Sequence, residues 1–281
     1  MKTIDDTDFA RELAVASALA RAAGTAALRH YRGNFAVQYK DAGGSDPVTQ
    51  ADKDANGVIV AGLRDAFPND AVLAEESPPS DDRLGARRLW CVDPIDGTRE
   101  FIDRNGMFVV MIGLAVEGRA RAGVIYQPTE DLLLWGADGH AGAEQGTQRR
   151  GLRVSEVTQA PMGRMVVSRS HRSKTVTRIA ATLGIARELP LGSVGLKVAR
   201  IADATADIYI SVSGQTREWD ACAPEAILRA AGGKMTDICG APLLYNKEST
   251  TTPRGLLATN GLLHDACLGA LRPVAHERGW L

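Results

Sequence analysis

The sequence predicts a layered α/β fold, with an N-terminal α+β half followed by a C-terminal α/β half. Two observations carry this. Within residues 108–135, three strand-like apolar runs are separated by Glu117-Gly118-Arg119 and Gln127-Pro128-Thr129, the pattern of a meander. Beyond residue 160 or so, strand-like and helix-like segments alternate instead. The division falls between residues 1–158 and 159–281, two halves of one unit.

The elements follow in chain order. Stretch 9–31 is alanine-rich, with Phe9, Leu13, Ala16, Leu19, Ala20 and Ala23 at helical spacing, and predicts an amphipathic helix. Asp41-Ala42-Gly43-Gly44-Ser45-Asp46-Pro47 reads as a turn-rich loop. Residues 52–67 predict a second helix, stopped by Pro68-Asn69-Asp70. The short apolar runs 72–74 and 89–92 read as buried strands, each delivering acidic residues at its end. After the meander, 152–155 is expected to be another strand. In the second half, strands are expected at 165–168, 208–212, 234–238 and 255–258. Helices are expected at 174–183, 194–204, 222–231 and 262–275.

Composition sets outer bounds. The 281 residues are 44% hydrophobic and 24% charged, ordinary for a globular chain and unlike a disordered one. A net charge of −1 gives no bulk attraction to nucleic acid or to an anionic membrane. The longest apolar run, 107–116, is half the ~20 residues that a membrane span needs. Residues 1–8 carry three aspartates and one lysine with no apolar run after them, so no secretory leader is expected and the chain reads as cytoplasmic. Cys91, Cys222, Cys239 and Cys267 form no C-x-x-C pair and are expected to be reduced thiols rather than zinc ligands.

The chemistry concentrates at Asp93-Pro94-Ile95-Asp96-Gly97-Thr98. Two carboxylates stand three apart directly after an apolar run. Pro94 is expected to end the ladder there, and Gly97 accepts the dihedrals of a turn. Such a turn aims Asp93 and Asp96 at one point, with the Ile95 carbonyl between them. Amides after Gly97 would face an anion if a helix began there. Taken alone, the hexapeptide is closer to a surface turn than to a site. Context argues otherwise, because Glu75-Glu76 and Asp220 are also acidic residues beside buried-looking elements. Two carboxylates ~5 Å apart repel by roughly 3 kcal/mol at an effective dielectric of ~20. Convergence therefore requires shared protons or bound cations, and all-oxygen ligands favour a hard ion such as Mg²⁺. Asp52, in Pro47-Val48-Thr49-Gln50-Ala51-Asp52, is either a helix cap or a base acting through a threonine hydroxyl. Ser168-Arg169-Ser170-His171, with Ser193 and Lys197 downstream, supplies polar residues at a strand end.

Together these motifs resemble the lithium-sensitive, magnesium-dependent phosphatases of the inositol monophosphatase superfamily. Within it, the run Glu218-Trp219-Asp220-Ala221-Cys222-Ala223-Pro224-Glu225, continued by Ala231-Gly232-Gly233-Lys234, is most similar to the 3'(2'),5'-bisphosphate nucleotidases. The resemblance implies an α-β-α-β-α sandwich of the inositol monophosphatase and fructose-1,6-bisphosphatase type. It implies that Glu75, Asp93, Asp96, Asp220 and the Ile95 carbonyl hold about two or three Mg²⁺ ions. Asp52 and Thr98 would activate water, and Gly97 and Thr98 would hold the scissile phosphate. Ser168, His171, Ser193 and Lys197 would contact the rest of the substrate, a small phosphate ester of nucleotide bisphosphate type. A homodimer is allowed by the resemblance, not required. One departure bears on substrate: the inositol monophosphatases carry a glutamate seven residues before the last metal-binding aspartate, and Ser213 stands here. An inositol phosphatase or a sugar-bisphosphate phosphatase is the alternative. A non-catalytic phosphate-binding module would be free to lose Asp52, Thr98 or Asp220, and all three are present.

Overall fold

A computed structural model of the chain describes residues 3–33, 36–39, 47–78, 80–169 and 173–281. The first half runs α1 (Ala10–Arg32), β1 (Val37–Tyr39), β2 (Pro47–Thr49), α2 (Gln50–Ala66), β3 (Ala71–Ala74), β4 (Arg88–Asp96), α3 (Thr98–Ile102), β5 (Val109–Val116), β6 (Arg119–Gln127), β7 (Leu132–Ala137), β8 (His140–Gln145) and β9 (Gln148–Gly151). The second runs β10 (Arg164–Ser168), α4 (Lys174–Thr182), β11 (Arg187–Leu191), α5 (Val194–Ala202), β12 (Ile208–Ser211), α6 (Glu218–Ala230), β13 (Lys234–Thr236), β14 (Leu256–Thr259) and α7 (His264–Glu277).

Among the described residues, β3 to β9 form a seven-stranded sheet in sequence order, and the second half forms a five-stranded sheet in the order β11-β10-β12-β14-β13. Alternation of side chains gives each sheet two apolar faces. Trp90, Val92, Ile112 and Val124 face α1 and α2 through Leu13, Ala20, Ile59 and Leu63. Leu89, Cys91, Met111 and Ile125 face the opposite way, onto Leu196 and Val198 of α5 and Ala223 and Ile227 of α6. Val166, Tyr209 and Ala258 of the second sheet close the far side of that same core. The other face of the second sheet, Met165, Val167, Ile208 and Leu257, is covered by Val176 and Ile179 of α4 and Leu271 and Val274 of α7. The layers are therefore α1/α2, sheet, α5/α6, sheet, α4/α7. This is the α-β-α-β-α sandwich that the resemblance implies.

Gly113, Gly123 and Gly136 lie side by side on β5, β6 and β7. A Cβ at Gly113 would stand 2.5 Å from the Ala223 amide, one at Gly123 2.6 Å from the Ala223 carbonyl, and one at Gly136 2.6 Å from Ile227 Cα. The track lets α6 lie directly on the sheet backbone. Helix α6 is thereby seated where its first turn meets the end of β4.

Two sequence expectations are corrected. Pro94 does not end its strand, because β4 continues to Asp96. Its neighbour β3 has already stopped, pairing Ala74 with Val92, so no ladder on that side asks Pro94 for an N–H. On the other side a bulge between Asp93 and Asp96 takes up the extra residue against β5. Residues 152–155 form no strand; β9 ends at Gly151, and the Leu152 and Val154 amides are spent on the carbonyls of Ala141 and Ala231. Five strands went unforeseen: β1 and its partner β2, β8, β9 and the edge strand β11. The turn-rich stretch 41–46 lies outside the described residues. Cys91, Cys222 and Cys267 are buried free thiols and Cys239 is a half-buried one. No helix of the described residues is long and apolar enough to cross a membrane.

Candidate active site

Helix α2 begins at Gln50, with Thr49 as its cap. Asp52 is the third helical residue, and it closes a capping box rather than starting the helix. The Thr49 amide donates to Asp52 Oδ2 at 2.8 Å and the Thr49 hydroxyl to the same oxygen at 2.7 Å. Asp52 is only 2% exposed. Burial drives its carboxyl up to about 6, against the two Thr49 bonds that hold it down, with Glu76 adding repulsion. Oδ1 faces the start of α3 instead, where the Thr98 hydroxyl stands at 3.4 Å. That hydroxyl is also 3.3 Å from the Ile95 carbonyl. Thr98 thus stands between a buried carboxyl group and a backbone oxygen.

Strand alternation turns Asp93 to the same face as Leu89 and Cys91, towards α6. Oδ1 of Asp93 accepts from the Ile95 amide at 3.0 Å. Burial raises the Asp93 carboxyl well above the ordinary carboxylate range, and repulsion from Glu75, Asp96 and Asp220 raises it further. After the bulge, Gly97 adopts the left-handed conformation with φ 98° and caps the short helix α3. A side chain there would also stand 3.1 Å from the Met107 carbonyl, so glycine is required twice over.

Asp96 faces the second half of the chain. Its Oδ2 accepts from the Ser193 hydroxyl at 2.5 Å and from the Gly195 amide at 2.6 Å. Ser193 caps α5, taking the Leu196 amide at 3.0 Å, and holds a left-handed φ of 54° to do so. Lys197 is four residues further along α5, only 5% exposed, with its ammonium 5.3 Å over the ring of Tyr209. No carboxylate pairs with it among the described residues. Asp220 is the third residue of α6, its Oδ2 taking the Arg217 amide at 2.7 Å. Part of Asp220 remains accessible. Loss of water around its carboxyl still raises it well above the usual range, and Glu75 and Asp96 push it further while the Arg217 amide opposes.

The structure therefore brings Glu75, Asp93, Asp96 and Asp220 within electrostatic reach of one another. Asp96, Gly97, Thr98, Ser168, Ser193 and Lys197 line one solvent-open cleft of about 610 Å³. His171 lies outside the described residues. Among those described, no group of three or more histidine, cysteine or acidic side chains is placed to hold a metal ion together. The donor set suits a hard cation that keeps much of its own water and takes one or two carboxylates at a time. Mutual repulsion among buried carboxyls is the observation that such a cation would relieve. The Gly195 amide on Asp96 was not legible in the sequence, because nothing local links two residues 99 apart. The Thr49 cap had a signal, the Thr-x-x-Asp spacing of a capping box.

The family model for the inositol monophosphatase family matches residues 9–274. The 3'(2'),5'-bisphosphate nucleotidase CysQ of Salmonella typhimurium is 38% identical over 237 residues, spanning 84% of this chain and 94% of that protein. The crystal structure of CysQ from Bacteroides thetaiotaomicron superposes with a TM-score of 0.76 at 30% identity, covering 89% of this chain and 97% of that one. An inositol monophosphatase from Anabaena superposes equally well, with a TM-score of 0.76 at 30% identity over 95% and 97% of the two chains. The fold alone does not choose between the two substrate types.

Proposed function

The chain belongs to the inositol monophosphatase family and is a phosphatase, and we propose that it removes the 3'-phosphate of adenosine 3',5'-bisphosphate, giving AMP and inorganic phosphate. The observation that carries the chemistry is the placement of the Thr98 hydroxyl 3.4 Å from Asp52 and 3.3 Å from the Ile95 carbonyl, beside the acidic cluster. Support for a nucleotide comes from the nucleotidase relative, from the run at 218–225, and from Ser213 in place of an inositol-reading glutamate.

In this reading Glu75, Asp93, Asp96, Asp220 and the Ile95 carbonyl hold Mg²⁺. Bound there, Mg²⁺ offsets the carboxylate charge and polarises the phosphate ester. The rest falls to the chain itself. Asp52 is a base whose pKa of about 6 leaves it ionised at neutral pH. It draws the proton of the Thr98 hydroxyl, which in turn accepts a proton from the attacking water. The water oxygen bonds to phosphorus as the bond to the 3' oxygen breaks, and that oxygen leaves protonated from solvent. Gly97 and Thr98 supply backbone amides at the start of α3 for the phosphate. Lys197, buried without a carboxylate partner among the described residues, supplies a positive charge to the substrate. Ser168 and Ser193 line the same cleft, and His171 is assigned to the same role from the sequence.

A steady-state panel tests the reading, comparing the bisphosphate nucleotide, inositol 1-phosphate and fructose 1,6-bisphosphate with Mg²⁺ and with Mg²⁺ plus lithium. The expected outcome is highest kcat/KM on the nucleotide and inhibition by lithium. Turnover of inositol phosphate far above the nucleotide would refute it.

A further inference from the structure

A second cavity adjoins the first. It sits at the C-terminal ends of the parallel strands β10 and β12, where open α/β sheets receive ligands. Ser168 lines both cavities. Tyr209 lines the second, and its ring lies under the Lys197 ammonium of the first at 5.3 Å. The two spaces are therefore neighbours, joined at a serine and at one cation–ring contact.

The second cavity has apolar walls, from Val176 and Ile210, with Tyr209 at its edge, and one cation, Arg278. Arg278 follows α7 directly, a helix that otherwise only covers the outer face of the sheet. Its guanidinium reaches back across the chain and donates Nη1 to the Val212 carbonyl. It also stacks 4.9 Å from the ring of Trp280. These two contacts fix its position without neutralising it. No carboxylate pairs with it among the described residues, and one carbonyl occupies only part of a fork of five N–H donors. A guanidinium held in place, always charged and incompletely used, is suited to a planar anion or a phosphate.

We infer that Arg278 is a specificity-determining residue that binds the second, uncleaved phosphate of the substrate, with the nucleoside passing Ser168 between the two cavities. The inference rests on the nucleotide reading above and deepens it. Nothing in the cleft around Thr98 and Asp96 requires a second phosphate. The preference for a bisphosphate is placed here in the adjoining cavity, on a residue far along the chain from the acidic cluster.

The test uses two substrates that differ only in that phosphate, adenosine 3',5'-bisphosphate and 3'-AMP, with the full chain and Mg²⁺. The measured quantity is the ratio of kcat/KM for the first to that for the second. Because both are measured on one preparation, any loss of folded protein cancels. Wild type is expected to favour the bisphosphate. In Arg278→Ala the ratio is expected to fall about tenfold to a hundredfold, the worth of a charge-assisted bond, with the loss in KM rather than kcat. Arg278→Lys, which restores charge without the fork, is expected to recover part of it. A wild-type preference that survives undiminished in Arg278→Ala overturns the inference and leaves the nucleotide reading standing. Failure of wild type to cleave either nucleotide overturns the nucleotide reading, and the inference with it.

Discussion

Asp96 and Ser193 stand 97 residues apart in sequence and are joined by a hydrogen bond of 2.5 Å from the serine hydroxyl to the carboxylate. The bond ties the end of β4 to the start of α5, and so ties the acidic cluster of the first half to the polar residues of the second. The same serine caps α5 through the Leu196 amide.

Ser193→Ala is therefore expected to cost about 1 kcal/mol of stability, the usual worth of a helix cap. The second effect is on metal use. Asp96 loses one of its two donors, its carboxylate is less firmly held, and the Mg²⁺ concentration for half-maximal activity is expected to rise severalfold. Thermal denaturation and a Mg²⁺ titration of kcat check the two effects separately; an unchanged Mg²⁺ midpoint would argue that the Gly195 amide alone positions Asp96.

Asp52→Asn separates stability from activity. The Asp52 carboxyl is raised from 3.8 to about 6, so the native state binds its proton more tightly than the unfolded chain does. That favours the fold below pH 3.8 and works against it as pH rises through about 6. A neutral amide removes the penalty, with a gain at pH 7 of about 2–3 kcal/mol or less. Activity is expected to drop by about 10²–10⁴ from loss of the base. Denaturant unfolding at pH 7 and at pH 4, beside kcat, reads both; a variant that is destabilised at pH 7 would contradict the argument.

The pH profile follows from the same carboxyl. In the proposed role Asp52 acts ionised, so kcat should rise with pH through about 6. Thr49→Val removes the hydroxyl that holds the pKa down, and its acidic limb should move up by as much as about one pH unit. A limb that stays in place would show that Asp52 does not set it.

On the proposed metal role, in which Mg²⁺ binds the native cluster and not the unfolded chain, Mg²⁺ should raise the melting temperature. At a hundredfold excess over Kd the gain is about 2.7 kcal/mol. It should shrink as pH falls, since the raised Asp93 and Asp220 carboxyls then hold protons that compete with the cation. Differential scanning fluorimetry with Mg²⁺ and with chelator, in wild type and in Asp93→Asn, is the check.

Gly113→Ala should be severely destabilising, by about 3 kcal/mol or more, because the new methyl meets helix backbone rather than a movable side chain. Gly57→Ala is the control. That glycine is exposed on α2, a methyl added there would meet nothing within 4 Å, and the change should add about 0.5–1 kcal/mol. Chemical denaturation of both variants decides it.

Much of this molecule is legible in its sequence, and the gaps have physical reasons. The helices showed because their apolar residues recur at helical spacing over many turns. The acidic residues showed because each follows a short buried strand or opens a helix. Strand β8, His140-Ala141-Gly142-Ala143-Glu144-Gln145, has no branched or aromatic residue to announce it. Strand β11 contains Pro190, which argues against a central strand; it is an edge strand, where a missing N–H is tolerated. Pro94 misled in the opposite sense, because the early end of β3 cannot be seen from the residues around the proline. The bond from Ser193 to Asp96 belongs to the packing of two halves and has no local signature.

The glycine track under α6 has a consequence for how such a site can change. Where side chains separate a helix from a sheet, the gap adjusts as they are exchanged, and a catalytic group drifts with them. Here the separation is a hard stop of backbone on backbone at Gly113, Gly123 and Gly136. Asp220 therefore inherits its distance from β4 from atoms that no substitution can resize downward. New substrates would be reached by rewriting the walls of the two cavities, with the acidic floor kept as a fixed datum.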